Sequence, residues 1–138
     1  MDIEIIEVPA EVTETFYKYV KPLVVKTLKF VRGEYDETYI QASLKSGQLT
    51  LLIASDGNHV LGMAIVGYEE YPRIPILRIL QIAGTSKLRW EDKMHQYIEG
   101  IAKRLHCVRI EGAGRRGWQS TAKKFGYSAY FVTYIKEI

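Results

Sequence analysis

The stretch that decides the fold is LTLLIASDGNHVLGMAIVGYEE, running from Leu49 to Glu70. Leu49 to Ser55 and His59 to Tyr68 are apolar and rich in β-formers, with Asp56-Gly57-Asn58 between them. Asp-Gly supplies the positive φ angles of a tight reverse turn, so the stretch predicts a β-hairpin. Downstream, Pro72 and Pro75 interrupt the pattern. Ile76 to Ala83 is then apolar on both faces apart from Arg78 and Gln81, the signature of a strand covered by helices on two sides.

Beyond that strand the apolar period becomes helical. Trp90, Met94, Ile98, Ile101 and Leu105 form one stripe, and Asp92, Lys93, Gln96, Glu99 and Lys103 face the other way, which predicts a helix over Arg89–Leu105. Val108 to Ala113 alternates as a strand, Gly114 to Gly117 turns the chain, and Trp118 to Phe125 reads as a short helix capped by Gly126. Tyr127 to Ile138, rich in Tyr, Phe and Val, reads as a terminal strand. Upstream, Ile3 to Val8 alternates apolar and acidic residues as a first strand that Pro9 ends. Helical spacing follows from Val12 to Val31, with Pro22 marking either a kink or the junction of two helices. Gly33 closes that region, and Asp36 can cap a further helix that ends at Gly47.

Composition bounds the function. The 138 residues, 47% hydrophobic and 25% charged, fit one globular domain spanning 1–138. One cysteine, Cys107, can form neither an internal disulfide nor a paired-cysteine metal site, and its apolar neighbours make it a small buried hydrophobe. His59, His95 and His106 share no metal-ligand spacing, so no metal is expected. No run approaches the roughly 20 apolar residues that cross a bilayer. The acidic start, MDIEIIEVPAE, is the opposite of a secretory signal, so a cytoplasmic location without membrane association is expected. A net charge of +3 does not call for a polyanionic partner. Even so, Lys103, Arg104, Arg109, Arg115, Arg116, Lys123 and Lys124 gather in one region against the single acid Glu111, either as a phosphate-binding cluster or as a solvated face.

The resulting order, β-α-α-β-β-β-α-β-α-β, resembles that of the GNAT N-acetyltransferase superfamily. LTLLIASDGNHVLGMAIVGYEE is similar to that family's second and third strands, with a polar turn and then a Val/Leu-Gly step. HCVRIEGAGRRGWQSTAKKFGYSAYFVTYIKEI resembles its C-terminal half. The Gly-Arg-Arg-Gly-Trp run is similar to small GNAT-like proteins of tailed phages, which would place the chain in a host cytoplasm or a virion. The resemblance implies an α/β fold of the α+β kind. Its central sheet would be mixed and mostly antiparallel, with a splayed parallel strand pair and helices on both faces.

It also implies a chemistry. Ile76–Ala83 and Val108–Ala113 would run parallel and diverge, opening a slot for the pantetheine of acetyl-CoA. The thioester would lie beside Ile82, Ala83 and Gly84, the phosphates near Lys87 and Arg89, and Trp118 would flank the ligand. Glu70, or else Glu69 or Glu111, all from strands neighbouring the fourth, would be the base, and Tyr127, with Tyr130 nearby, the acid. The acceptor would be an amine on a small molecule or a protein.

Against the family pattern, the loop Gly84-Thr85-Ser86-Lys87-Leu88-Arg89-Trp90-Glu91 has one glycine where that family carries Q/R-x-x-G-x-G/A. Leu88 and Trp90 stand where bulk would crowd a pyrophosphate. The fourth strand has no Asp or Glu, and the position four before Gly126 is Ala122. Three readings follow: an acyl-CoA-dependent N-acyltransferase with a degenerate cofactor loop; a catalytically inactive GNAT-fold accessory or virion-associated protein acting through protein contacts or as a homodimer; and a phosphate- or nucleic-acid-binding module built on the basic cluster.

Overall fold

The computed structural model describes residues 2–85, 89–114 and 118–138. Strands β1 (Glu4–Val8), β2 (Leu49–Ser55), β3 (Val60–Glu70), β4 (Pro75–Gly84) and β5 (Arg109–Gly112) form one sheet in that spatial order. The first three junctions are antiparallel and β4–β5 is parallel. Helices α1 (Thr13–Tyr17), α2 (Lys21–Leu28) and α3 (Glu37–Ser46) cover one face. Helix α4 (Trp90–Arg104) covers the other, and α5 (Gln119–Lys124) follows on that side.

Strand alternation divides the core between the two faces. Leu51, Ile53, Met63 and Ile65 pack under Val20, Val24, Ile40 and Leu44, while Leu52, Ala64, Val66 and Leu77 pack under Met94, Ile98 and Ile101. Apart from the small Ala64, each such side chain contributes about 1.5–3 kcal/mol by leaving water. The hairpin forms as its sequence predicts. Gly57 sits at φ 96°, and Asp56 Oδ1 accepts from the backbone N–H groups of Asn58 and His59 at 2.9 and 2.7 Å.

The long helical stretch resolves into two helices. Pro22 occupies the first turn of α2, where its missing N–H would have had no helical partner. Asp36 caps α3 by accepting from Tyr39 N–H at 2.8 Å, and Gly47 ends that helix at φ 84°.

Two expectations require correction. β5 is shorter than Val108–Ala113, and the terminal strand over Tyr127–Ile138 does not form. β-propensity expresses how well side chains fit a pleated, half-buried surface, and it yields a strand only where a partner backbone is met. The anchors of this tail are side-chain ones instead. Tyr127 rests on His95, Arg109 lies over the Tyr130 ring, and Arg32 pairs with Glu137 at 3.0 Å. Phe131, Val132, Tyr134 and Ile135 are consequently exposed. Among the described residues, no helix is long and apolar enough to cross a membrane.

Candidate active site

The site grows out of unequal pairing along β4. On one side, β3 stays in register with β4 up to Gly62–Gly84. On the other, β5 pairs only from Ile76–Arg109 to Ile79–Gly112 and then stops. Among the described residues, Leu80 to Gly84 therefore present one backbone edge without a strand partner. A bulge sits at the branching point: Val66 opposes Ile79 and Ile65 opposes Gln81, which leaves Leu80 as the extra residue.

A cleft of about 410 Å³ opens at this fork. Its floor is Ile82, Ala83, Gly84 and Thr85. Leu23, Lys26 and Thr27 of α2 form one wall with Phe30, Trp90 and Glu91 of α4 form the far end, and Trp118 and Thr121 close the remaining side. Trp90 is buried, and its Nε1 donates to Thr85 O at 2.7 Å. Its ring packs on Gly62 so closely that a Cβ there would fall 2.6 Å from the indole. The Gly step of the hairpin therefore makes room for Trp90.

Of the residues named from sequence, Ile82, Ala83, Gly84 and Trp118 meet in this cleft. Arg89 stands exposed just before α4, and Lys87 and Leu88 lie outside the described residues. Glu70 sits at the opposite end of the β3–β4 ladder, against Pro75, where it accepts from the Tyr68 hydroxyl at 2.8 Å. Nine strand steps of about 3.3 Å separate Pro75 from Gly84, so Glu70 is about 30 Å away along β4.

Glu69 is held by Arg78 through two bonds of 2.9 Å. Glu111 stands one rung before the fork, and a hydrogen bond from Tyr71 together with Arg109 keeps its carboxyl below the usual range, which makes it a weak base. Tyr127 lies off the cleft. Its hydroxyl is 3.4 Å from His95 Nδ1, and burial pushes its pKa up to about 12.

Sequence reading missed the α2 wall, although Leu23, Lys26, Thr27 and Phe30 share one helical face at i, i+3, i+4 and i+7. It also missed Glu91, with Asp92 part of an acidic first turn of α4. The basic cluster is partly neutralised. Arg104 pairs with Glu7 at 3.3 Å and Arg109 with Glu111 at 2.8 Å, while Arg115 and Arg116 lie outside the described residues. Among the described residues no group of His, Cys, Asp and Glu could hold a metal ion. Burial pushes the Cys107 thiol up, as suits a packing residue.

No family model matches the chain, and no curated protein matches it either. Solved structures do. An aminoglycoside acetyltransferase from an uncultured soil metagenomic sample, in complex with sisomicin, superposes with TM-score 0.75 at 10% identity, over 99% of this chain and 96% of that one. A predicted acetyltransferase from Clostridium acetobutylicum, solved with acetyl-CoA, gives TM-score 0.72 at 13% identity over 99% and 96%. Glucosamine-6-phosphate N-acetyltransferase from Arabidopsis thaliana gives 0.70 at 12% over 99% of each chain. The chain has the GNAT fold. In GNAT terms, β4 and β5 are the splayed parallel pair, and the cleft lies in their fork.

Proposed function

We propose that this chain is an acyl-CoA-dependent N-acyltransferase that takes acetyl-CoA as donor and a small-molecule amine as acceptor. The observation that carries the reading is the stretch of β4 from Ile82 to Gly84, which among the described residues has no strand partner on its β5 side and lines the cleft. Unpaired backbone N–H and C=O groups in a groove are matched by the amide-bearing pantetheine arm, as in strand addition to a sheet edge. Ile82, Ala83 and Gly84 would hold that arm, with Trp118 along its side and Arg89 and Lys87 toward the phosphates. Acetyl-CoA supplies the activated acyl thioester. The chain's own residues align the amine and exclude water: the α2 wall and the two tryptophans shield the fork from solvent. The small-molecule acceptors named for the aminoglycoside and glucosamine-6-phosphate enzymes support the same choice here.

One observation favours a second reading, a GNAT-fold accessory protein that works through protein contacts, virion-associated if phage-encoded. Glu91 and Asp92 occupy the first turn of α4, where the helix dipole would otherwise meet phosphate, and fixed carboxylates there oppose a pyrophosphate. Thermal denaturation with acetyl-CoA separates the two. A donor that binds only the folded state at about 100 times its Kd adds about 2.7 kcal/mol, a rise of several degrees in Tm. An unchanged Tm at millimolar acetyl-CoA overturns the transferase reading.

A further inference from the structure

Residues 128–138 run over the surface without a backbone partner. Tyr127 N–H bonds back to Ala122 O at 3.0 Å, and beyond it the tail makes no backbone–backbone hydrogen bond among the described residues. Single side-chain contacts hold it: Arg109 over the Tyr130 ring at 5.7 Å, and an Arg32–Glu137 pair too exposed to add much. Tyr130, Phe131, Val132, Tyr134 and Ile135 are between 61% and 90% exposed. In an extended chain Tyr130, Val132 and Tyr134 point to one side and Phe131, Thr133 and Ile135 to the other. Neither side is the polar one that a strand facing water carries. The area of the whole chain agrees. It exposes 9751 Å², where a compact monomer of 15.9 kDa exposes about 7,400 Å². The excess of about 2,400 Å² is well above the 800 Å² or so that each partner gives to a stable interface.

The two ends of the sheet differ. β1 carries Glu4 and Glu7, and Lys93 of α4 donates to Ile3 O at 2.8 Å just before it, so charge guards that edge. β5 is the last strand at the other end, and its outer edge has no strand partner among the described residues. Its four residues are too short a template to order the tail alone. We propose, independently of the transferase reading, that the tail is a dimerisation strand whose partner is the tail of a second copy of this chain. Two copies of one segment that meet across a two-fold axis between them run antiparallel and make every contact twice. Each tail then has β5 of its own chain on one side and the other tail on the other, which joins two five-stranded sheets into one. Tyr, Phe and Val side chains facing across that pair bury the apolar surface that one chain leaves in water. The charged side chains of the segment are one base, Lys136, and one acid, Glu137, so two copies approach without net repulsion.

Sedimentation of the wild-type chain at tens of micromolar is expected to give a dimer, twice 15.9 kDa. Amide hydrogen exchange is expected to show residues 130–135 protected in that dimer and unprotected after dilution to monomer. In a mixture of isotope-labelled and unlabelled chains, contacts between chains are expected among the same residues. Val132→Pro removes a backbone donor from the middle of the segment, and Phe131→Glu keeps the donor but puts charge into the apolar pair. Each is expected to raise the dimer Kd by about a hundredfold, because the dimer carries the change twice. Neither is expected to move the Tm of the monomer, in which this part of the tail is exposed and makes no backbone bond. A monomer at that concentration overturns the proposal. So does a dimer that neither variant weakens, or one whose contacts between chains avoid the tail. Tail amides that stay protected in the monomer overturn it too, by showing that β5 of the same chain is partner enough.

Discussion

His95 on α4 is 5% exposed, its ring stacked on Phe125 at 4.2 Å and edge-on to Tyr127 at 5.6 Å. Burial lowers its pKa below the ordinary 6.5, against the smaller opposing pull of Glu99 and Asp92. The folded state therefore resists protonation that the unfolded chain accepts. Stability from this group is complete above about pH 6.5 and declines as pH falls from there through the folded value. The wild-type Tm should drop between pH 7.5 and 5 more steeply than that of His95→Phe, which keeps the stack but cannot titrate. About 3 °C is expected for each kcal/mol of this linkage in a domain of this size. Parallel curves for the two proteins would refute the assignment. At this scale the sequence was partly legible. Trp90 read correctly as core, and Gln81 stood out as a polar exception in an apolar strand. What could not be read was which polar atoms lack partners, since the partners come from distant segments such as the Tyr35 loop and the tail after α5.

Helix α4 ends without a glycine. His106 takes the left-handed conformation at φ 58°, and Cys107 N–H bonds back to Ala102 O at 2.8 Å to complete the cap. A β-carbon in that region costs about 1 kcal/mol relative to glycine. His106 is exposed, and among the described residues its side chain makes no hydrogen bond or ion pair that glycine would lose. His106→Gly should therefore raise Tm by about 3 °C, read by calorimetry, and an unchanged or lower value would show that the imidazole contributes more than its backbone strain costs. The β2–β3 hairpin, the Pro22 junction and the Asp36 cap were legible because each rests on local backbone chemistry. The tail was not. Its Tyr, Phe and Val residues have the composition of a strand, but whether a strand forms depends on a neighbouring edge, and the four residues of β5 offer a short one.

Across the whole molecule, the parallel pairing of β4 with β5 and the fork beyond it were expected from the resemblance alone, since periodicity marks out strands and helices but not which strands pair or part. The cleft's α2 wall depended on how a helix early in the chain crosses the end of a strand some fifty residues later, and no local pattern encodes that crossing. The same arrangement has an optical consequence. The chain contains two tryptophans, Trp90 and Trp118, and both border the cleft. Excited at the red edge of its absorption, where the ten tyrosines do not absorb, its ultraviolet emission thus originates from the walls of the groove. Filling the fork with acetyl-CoA should change the wavelength or yield of that light, with Trp118→Phe isolating the signal of the buried indole. Emission that does not respond to acetyl-CoA would mean the groove had stayed empty. The molecule therefore carries its own label-free gauge of occupancy, ready to screen acyl donors and amines without a coupled assay.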